Sequence, residues 1–170
     1  MKNYIDTKVK EARMVAVKAH AGQYYDTIFP YEKHLDDVID VLTEHDIVSP
    51  KLLKAAYLHD IVEDCDVSYN KIKDYFGEDV AEIVYCVTDE LGRNRKERKA
   101  KTLPKIASNP DAVIVKLADR IANIQHGGKV DMYQKEYLNF RDTLKQPDQL
   151  AQPLWDTLDR LMEYSLQVSD

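Results

Sequence analysis

Seven consecutive residues, Leu58-His59-Asp60-Ile61-Val62-Glu63-Asp64, constrain this chain more than any other stretch. They follow an apolar run built on Leu52, Leu53, Ala55, Ala56 and Leu58. Burying that face carries an imidazole and three carboxylates to the protein interior or its edge. Ionised groups are rarely taken there without a cation or a proton to compensate. Ser49-Pro50 reads as an N-cap followed by proline at the first helical position, so one helix is expected to run from there through His59 and Asp60. On that helix His59 and Glu63 form one i,i+4 pair, and Asp60 and Asp64 form another. Four polar heads then converge on one half of the cylinder, where a metal ion with its activated water is the natural occupant.

The rest of the chain supplies helices to pack around this stretch. Ile5, Val9, Ala12, Val15, Ala16 and Ala19 recur at helical spacing in a run that closes near Gly22. A helix from Tyr31 to Glu44 places Leu35, Val38, Ile39 and Leu42 on one face, and others begin near Ser68 and Glu78. Asn109-Pro110-Asp111 has the cap, the proline and the first-turn acid that open the apolar run AVIVKLADRIANI. Two more helices, broken near Gln146-Pro147, follow Asp131, with Tyr133, Tyr137, Phe140, Leu154, Trp155, Leu158 and Leu161 as packing residues. Five Gly and six Pro leave little material for hairpin turns, and no strand hairpin stands out. The expectation is an all-α bundle of roughly eight or nine helices, forming a single domain over residues 1–170.

Charge and cysteine usage narrow the partners. A net charge of −6 repels nucleic acid in general, so any phosphate-binding surface must be local. Cys65 and Cys86 have no metal-motif spacing and are too few for a disulfide framework, which points to a reducing cytoplasm. The opening MKNYIDTKVKEARMVAVKAH lacks the uninterrupted apolar core of a signal peptide, and no stretch approaches the length that crosses a bilayer. Self-association into a homo-oligomer is left open.

His34, His59, Asp60 and Asp119 form the candidate metal set: two imidazoles and two carboxylates suit Mn, Fe or Zn with positions left for water. Taken alone, His34 reads as an ordinary core or surface histidine rather than a ligand. Asp119 sits in the apolar run Val113-Ile114-Val115-Lys116-Leu117-Ala118, where a carboxylate needs a partner. Lys116 or Arg120 could supply one as a structural ion pair, and spacing does not choose between that and a metal.

These residues carry a resemblance. The order His34, His59-Asp60, Asp119 resembles the HD phosphohydrolase superfamily. LHDIVEDC and VKLADRIAN, with KAHAGQ and FGEDVAEIVYCVTDE, resemble more narrowly the alarmone (ppGpp) hydrolase domain of RelA/SpoT proteins and its stand-alone metazoan forms. The likeness runs from about Val15 to Asn123 and weakens in the tail. It implies that His34, His59, Asp60 and Asp119 ligate a metal, usually Mn²⁺ in that family. It further implies that Glu63 and Asp64 position and deprotonate the attacking water, and that Asn123 contacts the nucleotide.

Between Arg93 and Lys101 six positive charges face one Glu97. Such a run is usually a solvated helix face, but a pyrophosphate substrate must be held beside an acidic metal site. Arg95, Arg98 and Lys99 are therefore candidate phosphate contacts. RNA on the same patch is disfavoured, because no aromatics are interleaved in it. The family's basic pair before the first His is replaced by Tyr25 and Asp26, and its Arg-Thr after Asn123 by Gln125-His126. Tyr25 can stack on a purine, whereas Asp26 opposes a phosphate. The resemblance thus implies a metal-dependent hydrolase removing the 3′-pyrophosphate of ppGpp or pppGpp. The alternative is an HD phosphohydrolase of another nucleotide, such as a nucleoside monophosphate or an adenine-type alarmone. A structural metal clip in a binding bundle is a third reading.

Overall fold

The run after Asn109 becomes the axis of the fold. In the computed structural model, which describes residues 6–168, it forms the helix α8 (Pro110–His126), the eighth in chain order. The Asn109 side chain accepts the amides of Asp111 and Ala112 at 3.1 and 3.2 Å, satisfying donors that a helix start leaves unpaired. At the other end Gly127 adopts φ 90°, a left-handed conformation that a residue with a Cβ rarely takes, and its amide caps Ile124. Ala112–Val115, Leu117–Ala122 and Ile124 are all buried. A helix with so much of its surface buried must be surrounded, and this one is.

The surrounding helices are α1 (Thr7–Ala19), α2 (Glu32–Glu44), α3 (Pro50–Leu58), α4 (Ile61–Asp64), α5 (Tyr69–Phe76), α6 (Glu78–Val87), α7 (Arg95–Ala107), α9 (Val130–Leu144) and α10 (Gln152–Val168). α2, α3, α6, α7, α9 and α10 all pack on α8, α1 lies on α3, and α5 lies on α6. Leu35, Leu42, Leu52, Leu58, Ile83, Ile106, Ile114, Phe140 and Trp155 form a continuous core. Ile5, expected in the first helix, lies outside the described residues.

The all-α expectation of roughly eight or nine helices holds, with three corrections. Nine helices of two turns or more and one single-turn segment occur among the described residues. That segment arises because the helix from Ser49 does not continue through Asp60: α3 ends at Leu58, and the single-turn α4 starts after Asp60, whose φ and ψ of −104° and 0° leave the helical path. Ser49 stands at the N-cap position but its side chain makes no capping bond. The aromatic loop before α2 closes into a minimal hairpin of two antiparallel strands, β1 (Tyr24–Tyr25) and β2 (Phe29–Pro30). Its turn rests on Asp26, at φ 56°, whose carboxylate accepts the Ile28 amide at 2.7 Å. No helix is long and apolar enough to cross a membrane among the described residues.

Candidate metal and catalytic centre

The corner between α3 and α4 sets the geometry. His59 Nδ1 donates to the Ala56 carbonyl at 2.7 Å. A carbonyl only accepts, so in the neutral ring Nε2 carries the lone pair. That lone pair faces His34 Nε2 at 3.3 Å, Asp60 Oδ2 at 3.0 Å and Asp119 Oδ1 at 3.5 Å. His34 Nε2 in turn lies 3.1 Å from Asp119 Oδ1 and 3.9 Å from Asp60 Oδ2. Thus α2, the α3–α4 corner and the middle of α8 bring all four predicted residues to one point. His34, His59 and Asp119 are no more than 7% exposed there. Acceptor atoms so close and so buried require positive charge between them. Two imidazole nitrogens and two carboxylate oxygens are a donor set that a divalent cation fits.

A second layer holds these groups. Asp119 Oδ2 accepts Lys116 Nζ at 2.7 Å, so the ion pair and the cation site coexist on opposite oxygens of one carboxylate. Asn123 Nδ2 donates to Asp119 Oδ1 at 2.8 Å, and Asn123 Oδ1 accepts the Tyr25 hydroxyl at 2.7 Å. Tyr25 stacks on His34 with ring centroids 4.8 Å apart. The Tyr31 hydroxyl donates to Asp60, and its ring stacks on His20 at 4.4 Å. His20 Nδ1 meets Gln23 Oε1 at 2.8 Å, and the Gln23 amide donates to the Asp64 carbonyl at 3.1 Å. Tyr31, His20 and Gln23 escaped the sequence reading as positioning groups, although two of them lie in the KAHAGQ block. Outer partners of this kind tune metal affinity about 10- to 100-fold. Asn123→Ala is accordingly expected to weaken divalent-metal binding by about that factor while leaving the helices intact, read by metal titration beside circular dichroism.

The charges follow from these contacts. Burial works against the Asp119 carboxylate, but Lys116, His34 and His59 reverse it and hold the group well below the usual range. Burial likewise opposes the Asp60 charge, and His59 overcomes it. In the His59 ring, burial disfavours the proton, yet Asp60 and Asp119 raise its proton affinity well above the ordinary 6.5. Without metal, therefore, the His59 contribution to stability is complete below pH 6.5 and is lost as pH rises through the raised value. The melting temperature of chelator-stripped protein should fall across that window, and a divalent cation should restore it.

Glu63 and Asp64 stand in the same cleft, their carboxylates within 4.8 Å of each other and of Asp60. Solvent reaches both. Partial desolvation among protein atoms, with Asp60 nearby, nevertheless pushes each carboxyl above its ordinary value. Glu63 is also anchored, accepting the Asp89 amide at 2.7 Å. The cleft encloses about 440 Å³, and Arg95, Lys99, Lys116, Arg120 and Lys129 line it beside the acids. Arg95 and Lys99, one helical turn apart, are already engaged: Arg95 grips Glu136 through two bonds of 2.6 and 3.0 Å, and Lys99 holds Asp89 at 2.7 Å. Arg98 does not line the cleft. It packs against the preceding loop, where a Cβ on Gly92 would stand 2.9 Å from its amide. Asp26 Oδ2 bonds His126 Nε2 at 2.7 Å, so two departures from the resembled pattern pair with each other.

The comparisons with known proteins agree with this geometry. The chain is 34% identical over 144 residues to the guanosine-3′,5′-bis(diphosphate) 3′-pyrophosphohydrolase of Vibrio cholerae, covering 81% of this chain and 20% of that protein. It is 38% identical over 98 residues to the Drosophila melanogaster enzyme of the same description, MESH1, covering 56% of this chain and 55% of that one. The chain thus spans about half, or less, of the length of these curated relatives. A solved structure described as a metazoan ortholog of SpoT that hydrolyses ppGpp superposes with a TM-score of 0.81 at 27% identity, covering 95% of this chain and 97% of the other. The HD domain family matches residues 12–139. With its two histidines and two aspartates gathered at one point and that match across most of its length, the chain belongs to the HD domain family.

Proposed function

We propose that this chain is a metal-dependent phosphohydrolase that removes the 3′-pyrophosphate of ppGpp or pppGpp, with Mn²⁺ as its ion. The observation that carries the reading is one cleft holding three elements side by side: a buried donor set, an acidic pair and a cationic wall. His34, His59, Asp60 and Asp119 would hold the metal, which supplies Lewis-acid polarisation and acidifies water. Glu63 and Asp64 orient the attacking water and take its proton, a task suited to carboxyls whose proton affinity is raised. The water oxygen bonds to the phosphorus attached at the 3′ oxygen, and that P–O bond breaks with the nucleoside 3′ oxygen as leaving group. This oxygen takes up the proton removed from the water, so the products are pyrophosphate and the nucleoside 5′-di- or triphosphate with a free 3′ hydroxyl. Arg95 and Lys99 exchange Glu136 and Asp89 for phosphate oxygens and neutralise the pyrophosphoryl group under attack. Arg98 has no part in this reading.

A second reading, hydrolysis of a different nucleotide, is favoured by one feature. Tyr25, Asp26 and His126 are bonded to one another or to Asn123 at the mouth where the resembled family carries cations. Incubating the Mn²⁺-loaded protein with ppGpp and measuring pyrophosphate release separates the two. No release from ppGpp, with turnover of a nucleoside monophosphate or an adenine alarmone, decides for the second. Lys99→Ala is expected to raise KM by about tenfold with a smaller change in kcat, since it removes one charge-assisted phosphate contact; steady-state kinetics on the released product reads this.

A further inference from the structure

The catalytic cleft is not the largest cavity. Across the Arg95–Glu136 ion pair, between α7 and α9, lies a groove of about 720 Å³, within the size range of small-molecule sites. Lys96, Ala100 and Pro104 recur on one face of α7, and Lys135, Asn139 and Phe140 on the facing side of α9. Five cationic residues line the groove against a single acid, Glu136, although the chain as a whole carries −6. Lys96 and Lys135 have no ion-pair partner among the described residues. The floor is apolar, formed by Leu103, Pro104 and Phe140.

Arg120 is the group that asks for a ligand. It is 3% exposed, and its guanidinium lies 3.8 Å from the Phe140 ring centroid and 4.6 Å from that of Tyr133. Its one carboxylate, Glu136, stands 3.5 Å away and is already bound twice by Arg95. Nε and Nη1 of Arg120 are buried with no partner. A buried cation with unmet donors is costly, and an anion in the groove would meet them.

We infer that the α7–α9 groove is a second, non-catalytic site for a nucleoside polyphosphate. The phosphates engage Arg120, Lys96 and Lys135, and the ring system lies over Leu103, Pro104 and Phe140. Arg95, Lys99 and Arg120 line both this groove and the catalytic cleft. A phosphate that competes with Glu136 for Arg95 and Arg120 therefore changes the cations offered to the substrate. This coupling rests on the phosphohydrolase reading; binding in the groove does not.

The test uses the full chain and a fluorescent N-methylanthraniloyl ATP as probe. Lys135→Glu and, separately, Ala100→Trp, which fills the groove by bulk, are compared with Asp119→Asn, a change in the cleft that leaves every groove-lining residue in place. Each variant is checked by circular dichroism. Wild type and Asp119→Asn should bind the probe in the groove, and both groove variants should weaken that binding about tenfold or more while hydrolysing substrate at the wild-type rate in the absence of probe. Inorganic triphosphate should displace the probe at least tenfold less well than ATP, because it cannot use the apolar floor. Saturating ATP should shift the substrate KM in wild type but less in Ala100→Trp. Probe affinity unchanged in both groove variants overturns the site, and equal competition by triphosphate overturns the nucleotide as its ligand. Groove binding in a protein that hydrolyses no nucleotide would leave the site standing and remove the phosphohydrolase reading instead.

Discussion

Asp119→Asn is expected to abolish divalent-metal retention and to lower turnover about a thousandfold or more. The substitution keeps the shape of the side chain, so the effect isolates charge. In the native protein one carboxylate serves four partners: Oδ1 faces His34 and His59 and accepts from Asn123, while Oδ2 holds Lys116. An amide oxygen can still accept one of these bonds, but the positive charge of Lys116 and of any metal is no longer balanced. Loss of a few kcal/mol of transition-state stabilisation corresponds to a factor of about 10³. Leaving Lys116 buried without its counter-charge also destabilises the fold, by about 3 to 5 kcal/mol if nothing relaxes. Two readouts separate these consequences. Metal content after dialysis and the gain in melting temperature on adding Mn²⁺ report the ligand role, because a ligand stabilises only the state that binds it. The melting temperature in chelator reports the ion pair. A variant that still gains stability from metal as the wild type does would remove Asp119 from the ligand set.

How much of this was legible beforehand depends on whether the information is local. The caps and prolines around α8 are local, and Asn109-Pro110 and Gly127 marked its ends. The gathering of His34, His59, Asp60 and Asp119 was legible because buried polar groups in apolar runs need partners, and the order of the blocks supplied which ones. The break after Leu58 was not, since no glycine or proline stands there. The corner there is held by a local bond from His59 to the Ala56 carbonyl and by one distant in the chain, the Tyr31 hydroxyl on Asp60. The hairpin at Tyr24–Pro30 likewise hangs on one Asp26 in a left-handed turn and on its bond to His126, 100 residues away. Asn123, expected at the nucleotide, lines the cleft and there bonds Asp119 and Tyr25. In the basic run, charge was visible but helical phase decided its use: Arg95 and Lys99 share the face toward the cleft, and Arg98 turns under the Gly92 loop.

Glu63→Gln should do the opposite of Asp119→Asn at the level of binding, leaving the metal in place while turnover falls by about 10²- to 10⁴-fold, the usual worth of a positioned general base. The glutamine carbonyl can keep the bond from the Asp89 amide that now anchors Glu63, so the side chain stays where it is and loses only its basicity. The pH dependence makes the assignment sharper. A base works when ionised, so the rate falls as pH drops through its pKa. Partial desolvation and the Asp60 charge raise the Glu63 value above the ordinary 4.5. The acid limb of the wild-type profile should therefore lie at higher pH than that of an ordinary glutamate, and Glu63→Gln should lose it. Asp64 is the internal competitor, because its carboxyl is raised for similar reasons and lies within the same cluster. Asp64→Asn must then keep an acid limb if Glu63 takes the proton. Should Glu63→Gln retain both its rate and its limb while Asp64→Asn loses them, the proton goes to Asp64, and Glu63 serves to tie the short helix α4 to the Asp89 loop.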